Sequence, residues 1–232
     1  MDMRKAAAYI GDHVQKHGVG ATLHDLGYRV LNLAVQFQIL KGMIVRVEDV
    51  KDASLFEAPG LEARFAGEDE LKRYAHDGTH DFSLEFLHQA CARGDRCYAI
   101  FDGEALAAYG WYSNLPTSID EHFVLRFDPA YTYMYKGYTA PAYRGKRLHA
   151  VGMCGALRAV TEEGRKGLVS WVFSNNFASL RSVTRMGYRI FGDVYVLRAG
   201  ELCFSFSTPG CRDYGFEVMA YDPPPVQTEL SH

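Results

Sequence analysis

Apolar positions recur every three or four residues over 3–16 and again over 21–41. In the second stretch Leu23, Leu26, Val30, Leu33, Phe37 and Leu40 fall on one stripe, the pattern of a helix with one face turned to a partner surface. Gly18 and Gly20 separate the two stretches and Gly42 ends the second, so the spacing predicts a helical hairpin that packs on the domain or on a second subunit. Beyond it the period shortens. Strands are predicted over 43–47, 96–101, 105–112, 131–139, 168–173, 188–197, 202–206 and 216–221, and helices over 67–76, 83–92, 147–163 and 177–186. Ser83 is a helix N-cap type, Asp102-Gly103-Glu104 is a hairpin turn, and Gly187 is a helix stop.

Runs of antiparallel hairpins feeding one βαβ unit predict an α+β fold. The expected architecture is a mixed, mostly antiparallel sheet flanked by helices. The expected organisation is a hairpin extension over 1–42, a catalytic-sized domain over 43–222 and a loose tail over 223–232 after Asp222-Pro-Pro-Pro.

Composition narrows the function classes. Of 232 residues 48% are hydrophobic and 23% charged, an ordinary globular balance. A net charge of −3 with no Lys/Arg run argues against nucleic acid. The most apolar segment, 30–47, is interrupted by Asn32, Gln36, Gln38, Lys41 and Arg46, which argues against a membrane span. Five cysteines without a C-x-x-C pair or a histidine at zinc spacing predict no metal centre and a reduced, cytoplasmic setting.

The chemistry concentrates after the strand 131–139. The chain passes through Pro141, turns at Gly145 and enters a helix, and no acidic residue stands between Thr139 and Val160. A helix start offers unpaired N–H groups and the positive end of its dipole, a cradle for phosphate. Arg144, Lys146 and Arg147 add three cations there. A basic solvent-exposed turn has the same composition.

These residues resemble the pyrophosphate motif of the GNAT superfamily of N-acetyltransferases. Arg144-Gly-Lys-Arg147-Leu-His149 is similar to its Q/R-x-x-G-x-G/A, led in by Thr139-Ala-Pro141-Ala-Tyr143. Some thirty residues on, Ser174-Asn175-Asn176-Phe-Ala-Ser179 through Arg185-Met-Gly187-Tyr188 resembles the family's second cofactor segment. The resemblance implies a GNAT-type sheet and acetyl-CoA or another acyl-CoA as co-substrate, held by Tyr138, Thr139, Arg144, Gly145, Lys146, Arg147, Leu148, His149, Asn175, Asn176, Ser179 and Arg185. It also implies direct acyl transfer to a small-molecule amine, past a bulged strand near 138–139 and between strands splayed apart. A longer-chain acyltransferase using acyl-CoA or an acyl carrier protein, and a GNAT-like binding module without catalysis, stand as alternatives.

Two departures carry expectations. Arg147 and His149 replace small motif residues, so their side chains are expected to point away from the cofactor, with donation from His149 to a phosphate as the alternative. Val183 occupies the position where many relatives carry a tyrosine acid. Tyr131, Tyr133 and Tyr135 alternate on one strand and so share a face, either as a half-buried sheet surface or as the acceptor cleft. In the latter reading Tyr133 relays a proton, with Glu121 and His122 as alternative bases.

Overall fold

The computed structural model of the chain describes residues 3–76 and 79–220. Two helices lead, α1 (Met3–His17) and α2 (Val19–Leu31). The second stops well short of residue 41. Asn32 ends it: its side-chain amide donates to the carbonyls of Tyr28 and Phe37 and accepts from the Phe37 N–H. The chain then reverses into β1 (Gln36–Val45). Here Leu40 and Ile44 enter one core while Met43 and Val45 enter the other, the alternation of a strand buried on both faces. Phe37 and Leu40 match a helical period only by coincidence, and the boundary expected at 42/43 falls inside β1.

The expected apolar stripe of α2 faces outward. Leu23, Val30 and Leu33 are exposed, whereas Thr22 and Asp25 are buried. Asp25 accepts from Tyr9 Oη (2.8 Å) and Arg29 Nε (2.8 Å) and anchors the hairpin to Asn175. Polar partners thus outweigh hydrophobic periodicity in orienting this helix.

Next come β2 (Glu62–Ala66), α3 (Glu68–His76), α4 (Leu84–Ala92), β3 (Arg96–Asp102), β4 (Ala105–Ser113), β5 (Thr117–Ser118) and β6 (Phe123–Arg126). They are followed by β7 (Thr132–Thr139), α5 (Leu148–Glu162), β8 (Leu168–Phe173), α6 (Phe177–Met186), β9 (Arg189–Ala199), β10 (Leu202–Ser207) and β11 (Glu217–Ala220). β2, β5 and β6 escape the sequence pattern because they are short, at five, two and four residues. Tyr221 and the tail expected over 223–232 lie outside the described residues.

Eight strands form the main sheet in the order β10-β9-β1-β8-β7-β4-β3-β2, and β11-β6-β5 form a small second sheet. In the main sheet only β7 and β8 run parallel; the other neighbours are antiparallel. The expected α+β architecture is what is found. α5 covers one face over Met43, Met134, Met153, Leu157 and Tyr188, and the small sheet covers the other over Leu40, Ile44, Leu125, Val169 and Phe216. α3 and α4 bury Leu71, Leu87, Phe101 and Trp111. Ser83 caps α4 as its sequence predicts, its hydroxyl accepting from Phe86 N–H.

Candidate functional site

The parallel pair is the place where the sheet opens. β7 and β8 pair only at Thr132–Leu168 and Tyr133–Val169, although both strands continue further. On its other edge β7 carries a bulge: Tyr112 pairs with Met134 and Trp111 with Lys136, which leaves Tyr135 as the extra residue. A bulge bends its strand. It sits three residues before the expected 138–139, where β7 instead pairs regularly with Tyr109 and Ala108.

A cavity of about 250 Å³ fills the resulting V. Its strand walls include Tyr133, Met134, Ser170 and Trp171, and α5, α6 and their flanks add His149, Met153, Ser179, Ser182, Val183 and Tyr188. Near the vertex two side chains span the gap. Ser170 Oγ donates to the Met134 carbonyl (2.9 Å), and Trp171 Nε1 donates to Tyr133 Oη (2.7 Å). Burial pushes the Tyr133 hydroxyl up, against the smaller opposing effect of the indole N–H. Tyr133 therefore keeps its proton at neutral pH and serves as a donor rather than as a base.

At the open end of the V stands the start of α5. Gly145 (φ 81°) and Arg147 (φ 61°) are both left-handed, a region that costs a residue with a Cβ. Arg147 Nη2 is held 2.8 Å from Asp52 Oδ2. The first-turn N–H groups of this 15-residue helix have no intrahelical acceptor. Beside them lies a groove of about 530 Å³ with Arg147, Arg181 and Arg185 on its walls. His149 and Ser182 line both groove and slot, so a cationic mouth leads into a narrow, largely apolar channel.

Two expectations are corrected here. Arg147 lines the groove rather than leaving it. His149 turns inward because Gly137 on β7 makes room: a Cβ there would come within 2.5 Å of the imidazole. Burial lowers the His149 pKa, so the ring is neutral at neutral pH.

Of the other expected cofactor residues, Ser179 lines the slot and Arg185 the groove. Asn176 is the N-cap of α6, its Oδ1 accepting from Ser179 N–H (3.1 Å), and it lines neither cavity. Asn175 reaches Asp25 on α2. Arg144 Nε donates to the Thr139 carbonyl, and Lys146 lies over the Tyr143 ring; neither lines the groove. Tyr138 stacks on Tyr109 and donates to the Thr79 carbonyl, away from the slot. Leu148, the first residue of α5, is buried against Ile100 and Ala108. Glu121 and His122 sit together between β5 and β6, with His122 Nε2 3.1 Å from Glu121 Oε1, and neither lines the slot.

Sequence reasoning missed Ser170 and Trp171, and gave no separate role to Ser182 and Tyr188 within the second cofactor segment. Ser182 stands three residues after Ser179 on one helix, a spacing that puts both on one face. For the strand residues no such signal existed, because the slot is created by the splay and not by local pattern. Among the described residues no cluster of side chains fits a metal ion, and no helix is long and apolar enough to cross a membrane.

No protein-family model and no curated protein matches this sequence. Solved structures do. A Drosophila protein is 20% identical, with a TM-score of 0.51 over 76% of this chain and 58% of its own. A GNAT-family acetyltransferase from Colwellia psychrerythraea is 15% identical, with a TM-score of 0.50 over 75% of this chain and 61% of its own. The chain has the GNAT fold. It spans less than two thirds of the length of these two structures. The splayed pair, the bulged β7 and the helix that follows it are the parts of this GNAT-type sheet that build the channel.

Proposed function

We propose that this protein binds an acyl-CoA thioester and transfers its acyl group directly to the nitrogen of a small-molecule amine. The observation that carries this reading is the continuity of the arginine-lined groove with the slot between β7 and β8 through His149 and Ser182. A nucleotide with phosphates fits the chemistry of the mouth, and a thin, mostly apolar arm fits the slot.

In this reading Arg147, Arg181, Arg185 and the first turn of α5 take the phosphates, and Ser179, Ser182 and His149 flank the arm. The thioester lies near the vertex. There the bulge leaves the Tyr135 backbone outside the ladder to β4, and its N–H is the donor for the oxyanion that develops on the carbonyl. Tyr133 donates its proton toward the same end. No carboxylate lines either cavity among the described residues, so the amine sheds its proton to water rather than to an adjacent carboxylate base. A slot of about 250 Å³ that must also hold the arm supports a short acyl group, and the groove supports a nucleotide-bearing donor over a carrier protein.

The test is mass spectrometry of the purified protein with acetyl-CoA and a broad panel of amines. The reading expects a 42 Da adduct on at least one amine with stoichiometric release of CoA. Tight CoA binding without any acylated amine from acetyl-, longer acyl- or carrier-bound donors would favour a binding module instead.

A further inference from the structure

The N-terminal hairpin is held by contacts that its hydrophobic pattern does not explain. Its apolar residues Leu23, Val30 and Leu33 face solvent. Four other side chains, His13, His17, His24 and Asp25, reach instead to the end of β8 and the start of α6. His24 Nε2 lies 3.0 Å from Ser174 Oγ, and Asn175 Nδ2 donates to Asp25 Oδ1 (3.4 Å). The imidazoles of His13, His17 and His24 stand around the Phe177 ring at centroid distances of 5.9, 5.3 and 6.3 Å. This dock fixes the first turn of α6, the helix that carries Ser179 and Ser182 of the slot and Arg181 and Arg185 of the groove.

One further contact reaches the groove itself. Arg181 Nη1 donates to His17 Nδ1 (2.9 Å). The His17 imidazole packs against the rings of His13 (4.6 Å between centroids) and Phe177, and His13 Nδ1 lies 3.1 Å from Thr22 Oγ1 of α2. Desolvation and the Arg181 cation lower the His17 pKa, so the ring is neutral at neutral pH and its Nδ1 lone pair is open to a donor. The other guanidinium donors stay available, since Arg181 meets no carboxylate among the described residues. Nor does Arg185, one turn further along the same wall. Two unpaired like charges at this spacing repel, a cost that a bound anion removes.

On the acyl-CoA reading, on which this step rests, we propose that His17 is a positioning residue that holds the Arg181 guanidinium at the groove for a phosphate of the nucleotide. The hairpin is then part of the cofactor site and not an appendage to it. A free arginine side chain is spread over many rotamers, and ordering it on binding costs affinity. A neutral acceptor orders it beforehand and leaves its charge for the ligand, whereas a carboxylate in the same place would spend that charge. His17 lines neither cavity, so its effect belongs to binding and not to the chemical step.

The test titrates CoA into the wild type, His17→Ala, His17→Asn, Arg181→Ala and the double variant His17→Ala with Arg181→Ala. His17→Ala should bind about threefold more weakly, the effect of one long side chain ordered only on binding. Arg181→Ala should bind about fivefold more weakly, the effect of one charge. The double variant should match Arg181→Ala alone, because the imidazole acts through the guanidinium. Asparagine keeps an acceptor at the δ position and should restore the wild-type affinity. In acetyl transfer the KM for acetyl-CoA should rise with the loss of affinity while kcat holds. A second threefold loss in the Arg181→Ala background would make His17 a general prop of α6 and overturn the proposal. So would wild-type affinity in either single alanine variant, or a His17→Asn variant as weak as His17→Ala. If CoA does not bind the wild type, the acyl-CoA reading itself falls.

Discussion

Arg147 adopts φ 61° and ψ 15° at the entry to α5, at the position where the resemblance places a glycine. Replacing it by Gly and by Ala separates charge from conformation, because both variants lose the guanidinium and its contact with Asp52. That ion pair is 59% and 42% exposed, so screening leaves it worth under about 1 kcal/mol, and the loss is common to both. The difference between them is conformational. A Cβ in the left-handed region costs about 1–2 kcal/mol, and the freer unfolded chain of glycine returns about 0.4–1 kcal/mol of that. Arg147→Gly should therefore be more stable than Arg147→Ala by roughly 0.5–1 kcal/mol, or about 1–4 °C in Tm for a chain of this size. Both should bind CoA more weakly than the wild type. The loss is on the order of fivefold, as about 1 kcal/mol of attraction between unit charges 4 Å apart in water implies, and it should shrink with added salt. Differential scanning calorimetry of the two variants at one pH decides the matter. An alanine variant that melts at or above the glycine variant would refute the conformational argument.

Tyr133→Phe removes the acceptor of the Trp171 N–H, so it should cost about 1 kcal/mol of stability and lower kcat about tenfold, read from steady-state kinetics from pH 6 to 9. Full activity across that range would leave Tyr133 as a wall of the slot. His149 gives a pH signature in stability. Its folded pKa lies below the ordinary value of about 6.5, so the folded state binds fewer protons than the unfolded chain. Its contribution is present above about pH 6.5 and is lost as pH falls through the lowered folded value. Between pH 7 and 5 the fall in Tm should be shallower in His149→Asn than in the wild type; parallel curves would contradict the lowered pKa of a buried, neutral His149.

The α+β class and the βαβ core were legible because their signals are local. Gly187, Ser83 and the Asp102-Gly103-Glu104 turn each act within a few residues. The hairpin's end was not, since Asn32 overrides an apolar spacing that happens to run on into β1. In the site, the turn at Gly145 and the arginines of α6 were visible as composition and position. The direction of His149 was not legible, because it depends on Gly137 in a different strand. Asn176 was assigned to the cofactor arm although its type and place, at a helix start, already suit a cap. Ser170, Trp171 and Tyr188 become neighbours of the slot only once β7 and β8 part, which depends on a bulge that no short pattern announces.

The central claim is that a single channel, from the arginine groove through Ser182 to the vertex, holds an acyl-CoA. Ser182 is exposed on α6 and lines both cavities, so Ser182→Trp should fill the junction while leaving the core untouched. Calorimetric titration of acetyl-CoA into the wild type and this variant tests the claim directly. The account predicts saturable one-site binding by the wild type that weakens with salt, and no binding by a Ser182→Trp variant whose melting temperature is unchanged. Equal binding by both proteins, or none by the wild type, would contradict it.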